Sequence, residues 1–213
     1  MNEPTAALIG PFARPSDVEP LTRADLLVAV DRGIDHARGL GIVPALVVGD
    51  FDSVSDAGRQ WAFDPANGII VVEVASEKDF TDLDLAFRTC LSRQVYSIDL
   101  YGFVGGRLDH QLAVVGVCAR YMDRATIRLI GDGEIAHFIP VGQAGTVEKG
   151  VRFSVLALGD QKGGEVEVSI EGARYPLRRQ RLPLLSDQGV SNIADVRSVV
   201  TVHTGRVALI TSL

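Results

Sequence analysis

The amino-acid sequence predicts two domains of different class: an α/β domain with a mainly parallel sheet over residues 1–124, and an antiparallel β-sandwich over residues 125–213. Three observations point there. Short apolar runs rich in Val and Ile alternate with helical patterns through the first half, as parallel strands covered on both faces require. From about residue 125 the runs are β-type throughout, with glycine-bearing turns between them. The length, 213 residues, accommodates one large or two small domains.

The elements follow in order. Residues 6–9, 26–30, 45–48, 69–74 and 95–100 read as strands. Within residues 81–93, Leu83, Ala86, Phe87, Cys90 and Leu91 recur on one helical face. Residues 108–122 are apolar almost all round, which predicts a buried helix. The later strands are 127–130, 135–139, 153–158, 165–170 and 199–210, and the arginine-rich stretch 174–181 reads as a solvated strand and turn. Trp61, Cys90 and Cys118 read as packing residues.

Composition narrows the function classes. No apolar run approaches 18 residues, so no membrane helix is expected. The first residues lack a basic region before an apolar stretch, so no secretory signal is expected. Two cysteines without a CxxC pair exclude a disulfide framework and a zinc ribbon, and suit a reducing cytoplasm. A net charge of -6 argues against nucleic acid, whose phosphates need a basic face. The charge is uneven: residues 1–122 carry 17 Asp and Glu against 10 Lys and Arg, and residues 123–213 carry 10 against 11.

The acids of the first half have a pattern. Asp31 and Arg32 follow the strand 26–30, and Asp50 and Asp52 follow 45–48. Lys78, Asp79, Thr81 and Asp82 follow 69–74, and Gly105, Gly106, Arg107, Asp109 and His110 follow 95–100. Open parallel sheets bind ligands at the carboxyl ends of their strands, so all four clusters meet on one edge if the sheet is parallel. Crowded carboxylates repel, and a divalent cation removes the conflict. With no His or Cys partner, the set favours a hard ion with oxygen ligands, most simply Mg²⁺. Arg107 and Lys78, one of only three lysines, are candidates to hold phosphate oxygens. Gly105 and Gly106 allow close backbone approach ahead of a helix. Together these features suggest phosphoryl chemistry on a nucleotide. Each piece alone also has a plain structural reading: Asp-x-Asp as a turn, Thr81 as a helix cap, Gly-Gly as a loop.

The ordered set of Asp31-Arg32-Gly33, the stretches 41–53 and 77–86, Gly105-Gly106-Arg107-Leu108-Asp109-His110 and Gly189-Val190-Ser191-Asn192 resembles the thiamine pyrophosphokinase family. Tyr175-Pro176-Leu177 also looks like the stretch before that family's Ser-Asn motif. The resemblance implies an α/β nucleotide-binding domain, a C-terminal thiamine-binding sandwich, and a homodimer with thiamine held between the two domain types of different subunits. It implies transfer of pyrophosphate from ATP to the thiamine hydroxyl, releasing AMP. Carried over by motif, Asp50, Asp52 and Asp82 would hold Mg²⁺. Asp31, Asp79, Arg107 and Asp109 would serve catalysis; Lys78, Thr81, Gly105, Gly106 and Arg107 would bind ATP. Asp109, Ser191 and Asn192 would contact thiamine.

The sequence departs from the family pattern at Arg32, where Gly is usual, at Asp84, where Glu is common, and at Ile193, where Glu commonly follows Ser-Asn. Two other functions therefore stand beside the first. One is a related pyrophosphokinase acting on another alcohol, such as a hydroxymethylpterin. The other is a non-catalytic module that binds thiamine or a nucleotide.

Overall fold

The computed structural model describes residues 3–74, 79–159 and 164–213. The chain divides into two compact units, Met1–Val117 with Arg124–Gly131, and Cys118–Asp123 with Asp132–Leu213.

In the first unit six strands pair in parallel: β1 (Thr5–Ile9), β2 (Leu26–Val30), β3 (Leu46–Gly49), β4 (Ile70–Glu73), β5 (Ser97–Tyr101) and β6 (Thr126–Ile130). Their order across the sheet is β6-β5-β1-β2-β3-β4. Parallel neighbours cannot be joined by hairpins, and a helix fills each crossover. These are α1 (Val18–Thr22), α2 (Gly33–Gly39), α3 (Asp56–Phe63), α4 (Asp82–Ser92) and α5 (Leu108–Tyr121). The runs of β1, β2 and β3 are buried on both faces, while β4 has no buried residue. Ala7, Ile9, Leu27, Ala29 and Val47 pack with Leu21, Ile34, Ala37 and Ala62 from α1, α2 and α3. Leu8, Val28, Leu46 and Val48 alternate with them and are equally buried, and α4 packs on β2 and β3. The α4 stripe Leu83, Ala86, Phe87, Cys90 and Leu91 is buried as its spacing predicts. Each such large side chain contributes about 1.5–3 kcal/mol on burial.

The run 127–130 was expected in the antiparallel half, but β6 lies parallel to β5, with Ile98 beside Ile127 and Leu100 beside Leu129. The first unit therefore extends past residue 124 to Gly131. An apolar run does not carry its own direction; the preceding α5 returns the chain so that β6 runs parallel. Helix α5 was expected to be buried all round, yet Leu108 is 70% and Leu112 57% exposed, while Val117, Cys118 and Tyr121 are buried. Trp61 packs against the core, as expected, and its carbonyl accepts a bond from Asn67 Nδ2 at 2.9 Å.

The second unit is antiparallel throughout its described strands: β7 (Glu134–Ile139), β8 (Ala144–Val147), β9 (Arg152–Gly159), β10 (Val166–Ala173), β11 (Leu177–Leu182), β12 (Asn192–Thr204) and β13 (Arg206–Ser212). One ladder runs β7-β13-β9, and another runs β11-β10-β12-β8. The start of β12 also pairs with β9, so this long strand serves both ladders. Phe153, Val155, Val168, Ile170, Val200, Val202, Val207 and Leu209 form the shared core. The single run expected over 199–210 is two strands that reverse at Gly205, where φ is +70° and a Cβ would meet Val166 Cγ2 at 2.7 Å. Strand β8 was not anticipated, because Gly145 interrupts its apolar character. A Cβ there would lie 2.5 Å from Ile139 Cδ1 and 2.6 Å from Leu209 Cδ2, so glycine lets the strand close on the core.

Among the described residues no helix is long and apolar enough to cross a membrane. Cys90 and Cys118 are buried, and burial pushes the Cys90 thiol up to about 12 and raises Cys118 further. Thiolate is the reactive form. Native protein at pH 8 is expected to resist a maleimide reagent over hours, and protein in denaturant to take up two equivalents. Mass spectrometry reads the difference, and rapid native labelling would contradict the packing.

Candidate active site

The site is built where β2, β3 and β4 end. The backbone amide of Asp31 donates to Val48 O at 2.8 Å, which ties the residue after β2 to the neighbouring strand. Asp31 has φ +45°, a conformation that costs a non-glycine residue free energy and survives only where its surroundings enforce it. Gly33 enforces it from one side. A Cβ on Gly33 would clash with the backbone carbonyl of Ile9, so the first turn of α2 lies directly on β1. Gly49, at φ +155°, enforces it from the other, since a Cβ there would be 3.2 Å from Asp31 Cα. Asp50 follows at once. Asp82 begins α4, whose cap is Thr81: its Oγ1 accepts from the Asp84 amide at 3.2 Å.

These constraints bring carboxylate oxygens of Asp31, Asp50 and Asp82 within 4.8 Å of one another. Ser53 Oγ donates to Asp31 Oδ2, while Asp31 Oδ1 is buried with no hydrogen-bond partner among the described residues. Burial pushes the Asp31 carboxyl up. The Ser53 hydroxyl and the Arg32 backbone amide oppose that, and the Asp82 and Asp50 charges add to it. An all-oxygen trio with one orphaned buried oxygen suits a hard divalent cation. Opposite ligands of an octahedral Mg²⁺ lie about 4.2 Å apart for bonds near 2.1 Å, close to the span available here.

The trio lies in a cavity of about 380 Å³. Phe12, Phe103, Val114 and Val117 give it an apolar wall, and Arg32, Phe80, Thr81, Gly105 and His110 also line it. Phe12 rests on the Gly105–Gly106 turn, whose φ values are +134° and +67°; a Cβ on Gly106 would meet Phe12 Cζ at 2.6 Å. Phe80 is held from behind: the Arg88 guanidinium sits 4.6 Å from its ring centroid, and Arg88 Nε pairs with the buried Asp84 at 2.6 Å.

The other expected site residues fall as follows. Asp52 is exposed and is not one of the three grouped carboxylates, whereas Asp31 stands with Asp50 and Asp82. The side chain between Asp50 and Asp52 is the buried Phe51, at φ +61°, so the two acids do not share a direction. Asp52 instead bonds Asp50 Oδ1 through its backbone amide at 3.2 Å. Arg107 and Asp109 are exposed and bind each other, Nη2 to Oδ2 at 2.6 Å and Nε to Oδ1 at 3.1 Å. The guanidinium lowers the Asp109 carboxyl below the usual range, and neither residue lines the cavity. Asp79 is exposed and also outside the lining. Thr81 and Gly105 line the cavity; Gly106 does not. Lys78 lies outside the described residues.

Ser191 and Asn192 belong to the second unit. Ser191, at φ +59°, lines a polar recess with Asp132, Glu134, Arg152 and Ser154. Asn192 is buried. Its Nδ2 donates to Tyr175 O at 2.8 Å, and its Oδ1 accepts from the Tyr175 and Ile193 amides at 3.1 and 2.9 Å. Its amide thus clamps the Tyr175 turn. The aromatic residues Phe12, Phe80 and Phe103 were not expected in the site. Phe80 could have been found inside the stretch 77–86; Phe12 and Phe103 stand in no motif.

A family model described as thiamin pyrophosphokinase, catalytic domain, matches residues 19–130. Thiamine pyrophosphokinase of Bacillus subtilis (strain 168) is 30% identical over 168 residues, 78% of this chain and 77% of that protein. The crystal structure of thiamine pyrophosphokinase from Bacillus subtilis superposes with a TM-score of 0.82 at 26% identity, covering 98% of both chains. Thiamin pyrophosphokinase from Candida albicans shares the fold at 13% identity, with a TM-score of 0.80 over 99% of this chain and 89% of that one.

Two outcomes follow from the geometry. Gly33→Ala is expected to lower stability by about 1–3 kcal/mol or more, because backbone must move to admit one methyl group; urea unfolding measures it. Asp31→Asn removes a buried charge that its neighbours repel. In EDTA at neutral pH it is expected to melt about 2–4 °C higher than the parent chain, and to lose most of the rise that Mg²⁺ gives the parent. A lower melting point in EDTA would show that the trio is not under repulsion.

Proposed function

The chain belongs to the thiamine pyrophosphokinase family, and from that premise we propose that it transfers a pyrophosphoryl group from ATP to the hydroxyl of thiamine, giving thiamine diphosphate and AMP. The observation that carries this reading is the trio Asp31, Asp50 and Asp82 at one end of a parallel sheet, beside an apolar-walled cavity. Asp31, Asp50 and Asp82 would hold Mg²⁺, which when bound neutralises phosphate charge.

The remaining work falls to the chain itself. The hydroxyl oxygen bonds to the β-phosphorus and its proton passes to water, the bond from that phosphorus to the α,β-bridging oxygen breaks, and AMP leaves with that oxygen. Such a transfer depends on alignment and charge placement more than on covalent help from the protein. Strained Asp31 and capped Asp82 are fixed by backbone, so the carboxylates are in position before substrate arrives. The wall of Phe12, Phe103, Val114 and Val117 limits water near the transferred group, which disfavours hydrolysis of ATP. Asp109, held ionised by Arg107, is a weak proton acceptor, and the pair is better suited to positioning at the rim. Ser191 and the recess around it supply polar groups for thiamine. A homodimer that brings this recess to the active site of a partner copy, and a cytoplasmic location, complete the reading. Family membership favours thiamine over a hydroxymethylpterin acceptor.

Incubated with ATP, Mg²⁺ and thiamine, the protein is expected to form thiamine diphosphate and AMP in equal amounts, read by liquid chromatography. Absence of both products overturns the reading. Asp82→Asn is expected to lower turnover by about 10²–10³-fold, the scale on which a lost charge-stabilising group is felt, with its far-ultraviolet circular dichroism unchanged.

A further inference from the structure

We propose that Arg32 is a nucleotide-phosphate binding residue that sets this chain's affinity for its phosphate donor, an inference that rests on the function proposed above. Arg32 lines the same cavity as Asp31, Asp50 and Asp82, and it contributes the only guanidinium among the residues of that lining. Its backbone is fixed without its side chain. Ile34 N donates to Asp31 O at 3.1 Å, Asp35 N donates to Arg32 O at 3.1 Å, and Gly33 sits against Ile9. At the start of α2 the Arg32 side chain makes no capping bond. It is exposed, and it forms no ion pair with any described residue, although three carboxylates line the cavity with it. The fold therefore holds the residue in place and leaves its side chain without a structural task.

Charge supplies the task. Three carboxylates with one divalent ion leave the floor of the cavity negative, which repels a polyphosphate. One guanidinium brings the formal sum to neutral. Arginine also presents a planar fork of donors that matches two phosphate oxygens at once, and a single ammonium does not reproduce that geometry.

The test is calorimetric titration with Mg²⁺ and an ATP analogue carrying a methylene bridge between the α- and β-phosphorus, on the full chain, beside the product assay. Arg32→Ala is expected to weaken analogue binding about tenfold and to flatten its salt dependence. Arg32→Lys is expected to recover part of the loss. Thermal melting of both variants without ligand is expected to match the parent, since the Arg32 side chain is exposed and makes no capping bond. Unchanged or tighter binding by Arg32→Ala overturns the inference, because the side chain then only narrows the cavity; so does a parent chain that binds no analogue. The two readings separate cleanly. A parent that makes thiamine diphosphate while Arg32→Ala binds the analogue equally well defeats the inference alone. Arg32-dependent binding with no product from thiamine defeats the proposed reaction and leaves the phosphate site standing.

Discussion

Mutual repulsion among Asp31, Asp50 and Asp82 is the constraint that the first unit is built to withstand. Three carboxylates within 4.8 Å of one another would separate if their backbones allowed it. The backbones do not. Asp31 is pinned to β3 by its amide and pressed by Gly49, and two residues on Gly33 cannot be anything larger beside Ile9. Asp82 is fixed as the first residue of a capped helix whose apolar stripe is fully committed to the core. The parallel sheet is the frame that makes this possible, because strands running the same way deliver their following loops to one edge. Strain and repulsion here are stored locally and offset by burial across β1, β2, β3 and α4.

Much of this was legible in the sequence, for identifiable reasons. The Val and Ile runs have a length and continuity that fit covered parallel strands, and 81–93 has an unbroken helical stripe. The four polar clusters lie just beyond strand ends, which is a statement about order in the chain and needs no coordinates. What sequence order could not supply is which carboxylates point the same way. Asp50 and Asp52 look equivalent in the motif, yet the buried left-handed Phe51 stands between them, and Asp31 joins Asp50 from a different strand. Backbone handedness at a single non-glycine residue leaves no compositional trace. Helix α5 shows the same limit: apolar residues on all sides say nothing about which side is covered, and Leu108 and Leu112 remain exposed.

Polar residues in recognised motifs divide between chemistry and construction. The Thr81 hydroxyl caps a helix, and the Asn192 amide bonds the Tyr175 backbone and the Ile193 amide. Gly105 and Gly106 use their missing side chains to seat Phe12. A motif kept for catalysis would therefore look the same as one kept for the shape of the loop, and only the hydrogen bonds tell them apart. Asp84, Arg88 and Phe80 extend the point. A buried carboxylate orients an arginine, the arginine backs an aromatic ring, and the ring becomes a wall of the cavity.

The parallel placement of β6 has a consequence for anyone dissecting the chain genetically. The change in sequence texture near residue 124 invites a cut there, yet such a fragment would lack Thr126–Ile130 and leave β5 as a bare edge of five residues. It would also strand Asp99 without Arg128, its partner across the ladder. Unpaired edges recruit strands from other molecules, so the shortened piece would be prone to aggregate for reasons unrelated to its active site.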